Sequence, residues 1–275
     1  MTNLRTLLTE TANLVADYRD AVSDHRVAPE IDVDRFRATF GGPFSAEGVD
    51  AATAIEELVA AVEPVLTASS GPRYFGFVTG GSLDAAVCAD LLTTGWDQVG
   101  FNAVMSPAAA LVEEVAGVWL KEALGLPADA SFGIVTGAQG GNTVGLAAAR
   151  HQVLERAGWD VERDGLHGAP RIRVVAGEER HASIDRSLRF LGIGTASVEA
   201  IASDVVLNQV LVGFGDDERT ERVIEGIQRD GTCWMGGTTW HGRRLMRISV
   251  SNWTTTEADV DRSVEAIRRV LASTM

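Results

Sequence analysis

The segment from residue 132 to residue 201 constrains the fold most, because short apolar runs alternate there with helical patterns. Helical periodicity covers residues 139–157 and 181–191. The runs that predict buried strands are FGIVT at 132–136, RIRVVAG at 171–177 and ASVEAI at 196–201. Alternating strands and amphipathic helices are typical of a parallel sheet covered by helices, so this part is predicted to be α/β.

The chain before this segment is predicted to be mostly helical. Apolar residues recur with a period of 3.6 residues at 3–22 and 46–62. A third helix is predicted to begin at Ser106–Pro107, because serine suits the N-cap and proline suits the first helical position. We therefore expect an N-terminal helical segment, residues 1–70, before the α/β part.

The C-terminal stretch has a different pattern. A strand-like run near 205–214 precedes a helical pattern at 217–229, and two runs between 232 and 252 predict antiparallel strands. A last helix is predicted to begin near Thr256. The apolar residues expected on its buried face are Val260, Val264, Ile267 and Leu271. The division that follows is 1–70, a large-domain part at 71–204, and a small α+β domain at 205–275.

The formal net charge of −14 excludes two classes of partner. A negative field of this size repels phosphate backbones and anionic lipid surfaces, so we expect neither nucleic-acid nor membrane binding. No apolar run approaches the roughly 20 residues that span a bilayer. The two distant cysteines, Cys88 and Cys233, predict buried, reduced thiols rather than a disulfide framework or a zinc site. A cytoplasmic protein is expected.

A glycine-rich turn, TGAQGG at 136–141, follows the first predicted strand and opens a helix. Helix N-termini present unpaired N–H groups and the positive end of the helix dipole, and glycine allows a close approach by an anion. The turn fits neither the dinucleotide fingerprint nor a P-loop. A phosphate-sized group would suit it, although an ordinary strand–helix connection uses the same glycines.

Two further features have alternative interpretations. His181 begins a helix just after a strand end, where it serves either a site or simply the cap of the helix. GPRYFGFVTGG at 71–81 is a loop unusually rich in aromatic residues, which either line a pocket or anchor the loop in the core. A G-x-S-x-G hydrolase elbow and histidines at metal-ligand spacing are both missing from the sequence, so no metal site is predicted.

These stretches together resemble the group II amino-acid decarboxylases that depend on pyridoxal 5'-phosphate (PLP). The stretches are PRYFGFVTGGS (72–82), SPAAALVEEVAGVWL (106–120), TGAQGGNTVGLAAAR (136–150), HASIDRSLRFLGIG (181–194), LNQVLVGFGDDERT (207–220) and residues 231–264. The resemblance implies the aspartate-aminotransferase-like fold, PLP fold type I, with a large domain and a small C-terminal α+β domain. It also implies a homodimer.

The resemblance assigns roles to seven residues. Ala138 and Gln139 would hold the cofactor phosphate, with Gly137 allowing the turn, and His181 would stack on the pyridine ring. The three residues that would face an amino-acid substrate are Phe77, Val78 and Thr79.

The chain departs from the family between Asp204 and Val205. There the family has a long block with an aspartate that pairs with the pyridine nitrogen and a lysine that forms the Schiff base. Lys121 is the only lysine of the chain, and its place in WLKEAL predicts a solvated residue at a helix end. The resemblance therefore implies a truncated large domain without its catalytic lysine.

Three functions follow as hypotheses. The first is membership of the decarboxylases, which convert an L-amino acid to an amine and carbon dioxide, with this chain inactive alone. The second is a non-catalytic remnant that dimerises or binds partners. The third is another lyase or an aminotransferase of the same fold, which would equally need a lysine.

Overall fold

A computed structural model describes residues 3–42, 46–201 and 208–274. The junction of Asp204 and Val205, where the missing block is predicted, lies outside these residues. In chain order the α-helices are α1 (Leu4–Ala21), α2 (Val33–Phe40), α3 (Ala51–Val62), α4 (Asp84–Trp96), α5 (Pro107–Ala123), α6 (Gly137–Arg156), α7 (Val161–Asp164), α8 (Ala182–Phe190), α9 (Asp217–Asp230) and α10 (Glu257–Ser273). The strands are β1 (Val174–Gly177), β2 (Val198–Ile201), β3 (Gln209–Val212), β4 (Gly236–Trp240) and β5 (Arg243–Ser249).

The chain divides into two compact units. One unit combines Met1–Cys88 with Val206–Met275, and the other is Ala89–Val205. Residues 71–88 thus belong with the C-terminal part, whereas the sequence placed them with the large domain. The domain boundaries drawn from the sequence stay a prediction.

The first unit contains an antiparallel sheet in the order β3–β5–β4. β4 and β5 are the two antiparallel strands expected between residues 232 and 252. Helices α9 and α10 supply much of the core, because buried apolar side chains recur on them at helical spacing. The core residues are Phe75, Val223, Ile224, Ile227, Cys233, Met235, Met246, Ala266 and Val270.

The aromatic loop anchors itself beside this sheet. Phe75 N–H donates to the Trp234 carbonyl (2.9 Å), and the Phe75 carbonyl accepts from Ser249 N–H (3.0 Å). The Tyr74 and Trp234 rings stack with centroids 5.1 Å apart. Gly76 is required here, because a Cβ at that position would lie 2.2 Å from the Trp234 ring. Tyr74 and Phe75 are buried, so for these two residues core anchoring is the correct alternative.

Arg73 fastens the same loop to the N-terminal part of its unit. Its side chain is 2% exposed, and its guanidinium donates to the carbonyls of Ser23 (2.8 Å), His25 (2.8 Å) and Thr232. Burial lowers the pKa of Arg73, and the nearby charge of Arg262 lowers it further. The carbonyl dipoles replace water around this charge, which makes the contact a packing element rather than an open binding group.

The second unit contains the expected parallel pairing. β1 and β2 lie side by side in parallel, with Val174 opposite Val198 and Gly177 opposite Ile201. Helices α6 and α8 pack against each other in the same unit. The strand predicted at 132–136 is wrong, because these residues have no regular secondary structure. Apolar character alone predicted a strand there, but a strand requires a hydrogen-bonded neighbour, and none of the described residues provides one.

Three details predicted for side chains are wrong in part. Cys233 is buried, as expected, but Cys88 is exposed on α4. On α10 the buried residues are Ser263, Ala266 and Val270, while Val260 and Val264 are exposed. Ile267 and Leu271 are half-buried against the core, as expected, so the buried face is rotated by about one residue from the predicted one. Lys121 is half-buried rather than solvated, and it donates to the carbonyls of Ala128 and Ala130.

The corrected face of α10 can be tested by making the same substitution, valine to alanine, at two positions. We expect Val270→Ala, at a position 7% exposed, to lower the free energy of unfolding by about 1–3 kcal/mol through lost burial and a cavity. Val264→Ala, at a position 36% exposed, serves as the matched control, with an expected effect below about 1 kcal/mol. Urea unfolding followed by circular dichroism measures both. A larger loss in the Val264 variant would contradict the observed face.

Candidate functional site

The first turn of α6 is the predicted anion cradle. Gly137 begins the helix with a φ of +76°, a left-handed value that glycine adopts without strain. Thr136 occupies the N-cap position but makes no side-chain hydrogen bond to the first turn. The first N–H groups of a helix have no partner within the helix, so this terminus offers Gly137, Ala138 and Gln139 N–H groups to an anion.

His181 is the N-cap of α8. Its Nδ1 atom accepts a hydrogen bond from the backbone N–H of Ser183 (3.2 Å) and lies 2.8 Å from Ser183 Oγ. His181 therefore caps the helix through Nδ1, which is one of the two roles that the sequence left open. Among the described residues, no group is hydrogen-bonded to Nε2, so the cap leaves this nitrogen and the ring faces for another role.

A set of five polar residues between α6 and α8, called here the polar seam, brings these two features together. Its members are Gln139, Asn142 and Thr143 on α6 and Ser183 and Ser187 on α8. Gln139 Nε2 donates to Ser187 Oγ (2.8 Å) and to the Ser183 carbonyl (3.3 Å). Asn142 Nδ2 donates to Ser183 Oγ (2.8 Å).

The two serines of the seam are screened from water. Ser183 is 3% exposed and Ser187 is 0% exposed. Buried hydroxyl groups require partners, so the two helices can pack in only one register without leaving a polar group unpaired. This register links His181 to α6 through Ser183 and Asn142.

The Gln139 side chain is fully used inside the protein. Besides its amide donations, its Oε1 atom accepts from Arg186 Nη1 (3.1 Å). The backbone N–H of Gln139, rather than its side chain, is therefore the group available to an anion. Arg186 adds a positive charge beside the cradle.

The remaining predicted residues lie in the other unit. Phe77 and Val78 are exposed and have φ values of 52° and 59°, whereas Thr79 is half-buried. The Phe77 ring lies 5.4 Å from Trp234 and 6.0 Å from the Arg247 guanidinium carbon. Two consecutive non-glycine residues at positive φ indicate backbone strain, which often accompanies function. Their role toward a substrate stays a prediction.

The sequence did not reveal the polar seam. The signal was present, because Gln139, Asn142 and Thr143 recur at the i, i+3, i+4 spacing of one helix face, and Ser183 and Ser187 are four residues apart. In the described residues, no group of three potential ligands could hold a metal ion. No helix in those ranges has the length and apolar content to cross a bilayer.

Comparisons with known proteins agree on one family. No protein-family model matches the chain. It is 28% identical to tryptophan decarboxylase 1 of Oryza sativa over 248 residues, which cover 83% of the chain and 44% of the relative. It is 26% identical to tyrosine decarboxylase of Papaver somniferum, covering 71% of the chain and 39% of the relative. The chain thus spans less than half the length of these curated relatives, in keeping with the predicted internal loss.

Solved structures match the fold. The structure of Oryza sativa TDC with PLP and tryptamine has a TM-score of 0.83 at 15% identity, covering 99% of this chain and 98% of that chain. The glutamate decarboxylase domain of a Vibrio parahaemolyticus protein has a TM-score of 0.86 at 11% identity, covering 99% and 97%. These likenesses confirm the predicted α/β fold of type I.

Proposed function

We propose that the chain is a member of the PLP-dependent amino-acid decarboxylases and binds PLP through the α6 cradle and His181. PLP is the cofactor of this family. The proposed substrate class is an L-amino acid, and the family reaction is its conversion to an amine and carbon dioxide. We propose that this chain alone does not sustain that reaction.

The donor set fits two parts of PLP. A phosphate dianion matches an uncapped helix terminus beside Arg186, and the flat imidazole of His181 matches a flat ring. The uncapped first turn of α6 is the single observation that carries the proposal. When bound, PLP supplies an electron sink for the pair of electrons left by a departing carboxylate.

The fit fails for the aldehyde end of PLP. Lys121 is the only lysine of the chain, and its ammonium group donates to two carbonyls and lies 5.7 Å from the centre of the Phe132 ring. An amine held in this way is not free to exchange with a substrate. Because covalent catalysis contributes orders of magnitude to rate, its loss accounts for the proposed inactivity.

Titration with PLP, followed by quenching of tryptophan fluorescence, tests the proposal. We expect saturable binding, and binding of pyridoxal, which lacks the phosphate, at least about tenfold weaker because charge-assisted hydrogen bonds are lost. His181→Asn removes the ring but keeps an N-cap acceptor, so it should weaken PLP about threefold to tenfold while α8 remains folded.

His167→Ala, at an exposed histidine, is the control variant for this titration. It should bind PLP like the wild type. Equal affinity of the wild type for PLP and pyridoxal would contradict a phosphate cradle at α6.

A second candidate function is dimerisation or partner binding without catalysis, favoured by one observation. Helix α5 exposes an apolar stripe made of Leu111, Val112, Val115, Val118 and Trp119. Val112 is 68% exposed and Trp119 is 67% exposed, which is unusual for monomer surfaces. We propose a homodimer that covers this stripe, in a cytoplasmic protein. An alternative lyase or aminotransferase activity would need the same missing lysine.

Light scattering coupled to gel filtration tests the dimer. We expect a mass near twice the 29.2 kDa of one chain. Val112→Glu should shift the protein to a monomer, because a carboxylate buried in an interface lacks a partner. Glu114→Gln, on the same helix but outside the stripe, should remain dimeric. A monomeric wild type would refute the proposed assembly.

A further inference from the structure

A continuous chain of hydrogen bonds joins α6 to the His181 ring. Asn142 Nδ2 donates to Ser183 Oγ (2.8 Å), and Ser183 Oγ lies 2.8 Å from His181 Nδ1. Ser183 is 3% exposed, so water does not compete well for these bonds. The three residues, Asn142, Ser183 and His181, are called here the relay.

The backbone fixes the direction of the relay. The Ser183 N–H donates to His181 Nδ1 (3.2 Å), so Nδ1 acts as an acceptor and carries no proton. The Ser183 hydroxyl accepts from Asn142 and can therefore donate its own hydrogen to Nδ1. In the neutral ring the single N–H proton is then on Nε2.

We propose that Asn142 and Ser183 are positioning residues of the coenzyme site, which hold His181 in the Nε2–H tautomer with its ring plane fixed relative to α6. This inference rests on the proposed binding of PLP. A histidine with a single cap bond could rotate about its side-chain torsions. Two bonds converging on Nδ1, one of them tied to α6, restrict that rotation and present a prepared face to a flat ligand.

The relay can be cut without separating the helices. Gln139 remains bonded to Ser187 and to the Ser183 carbonyl, and Thr143 Oγ1 lies 2.9 Å from Ser187 Oγ. Neither contact uses Ser183 Oγ. Asn142 is only half-buried, so Asn142→Ala gives a second variant that should keep the fold.

The first measurement needs no coenzyme. Two-bond nitrogen–proton correlation spectra at about pH 8, where an ordinary imidazole is neutral, distinguish the two histidine tautomers. His181→Asn assigns the signal by its loss. We expect the Nε2–H form in the wild type. In Ser183→Ala and Asn142→Ala we expect a larger share of the Nδ1–H form, because the backbone bond that remains (3.2 Å) is longer than the hydroxyl bond (2.8 Å) and holds Nδ1 as an acceptor less firmly. Ser197→Ala is the control, because its hydroxyl makes one long bond of 3.5 Å to the Ile193 carbonyl.

The second measurement is the dissociation constant for PLP. We expect each single substitution to raise it about threefold to tenfold, the range of one hydrogen bond. The double variant should bind PLP with about the same dissociation constant as the single variant that binds less tightly, because both residues act through one ring.

The outcomes separate the relay from the proposed function. Mixed tautomers together with weaker PLP binding support the relay. An unchanged tautomer, or a changed tautomer with unchanged PLP affinity, overturns it while PLP binding by the wild type stands. If the wild type binds no PLP, the proposed function fails, and the positioning role fails with it.

Discussion

The candidate site depends on how α6 and α8 pack through the polar seam. Hydroxyl and amide groups that are shielded from water need hydrogen-bond partners within the protein. Only one register of the two helices pairs Gln139 with Ser187 and Asn142 with Ser183. Apolar helix packing tolerates small shifts, whereas this arrangement does not. The same contacts therefore hold the helices and set the relation between an anion cradle and an imidazole ring.

The proposed chemistry is binding without a covalent anchor. The α6 terminus and His181 are the groups proposed to hold the phosphate and the ring of PLP; His181 caps α8, whereas the Thr136 side chain makes no cap bond to α6. The only lysine, Lys121 near the end of α5, donates its ammonium hydrogens to the carbonyls of Ala128 and Ala130. Similarity to the decarboxylases and the proposed inactivity of this chain alone are thus compatible, because binding and covalent chemistry use different residues.

Local patterns in the sequence predicted the parallel pair β1–β2, the antiparallel pair β4–β5 and most of the helices, namely α1, α3, α5, α6, α8, α9 and α10, but not α2, α4 or α7. They also predicted the glycine turn at Gly137 and the helix start at His181, because backbone conformation and helix ends leave clear signals, while the roles of both residues toward a cofactor stay predictions. A strand at 132–136 failed, since pairing depends on a distant partner that local hydropathy does not report. The predicted burial of Val264 and Cys88 was wrong for a similar reason, because burial depends on distant parts of the chain. The polar seam was missed because the sequence does not show which helix faces these serine and asparagine side chains, and their hydrogen bonds depend on that helix.

Reduction of the PLP complex with borohydride, followed by mass spectrometry of the intact and digested chain, tests the central claim most directly. The central claim is that the α6 cradle and the His181 imidazole bind PLP, and that no amine of the chain lies where it could react with the PLP aldehyde. The predicted result is a chain of unchanged mass after removal of free ligand. A stoichiometric adduct on Lys121 would contradict the account, because that amine would then have left its two carbonyl partners to reach the bound aldehyde.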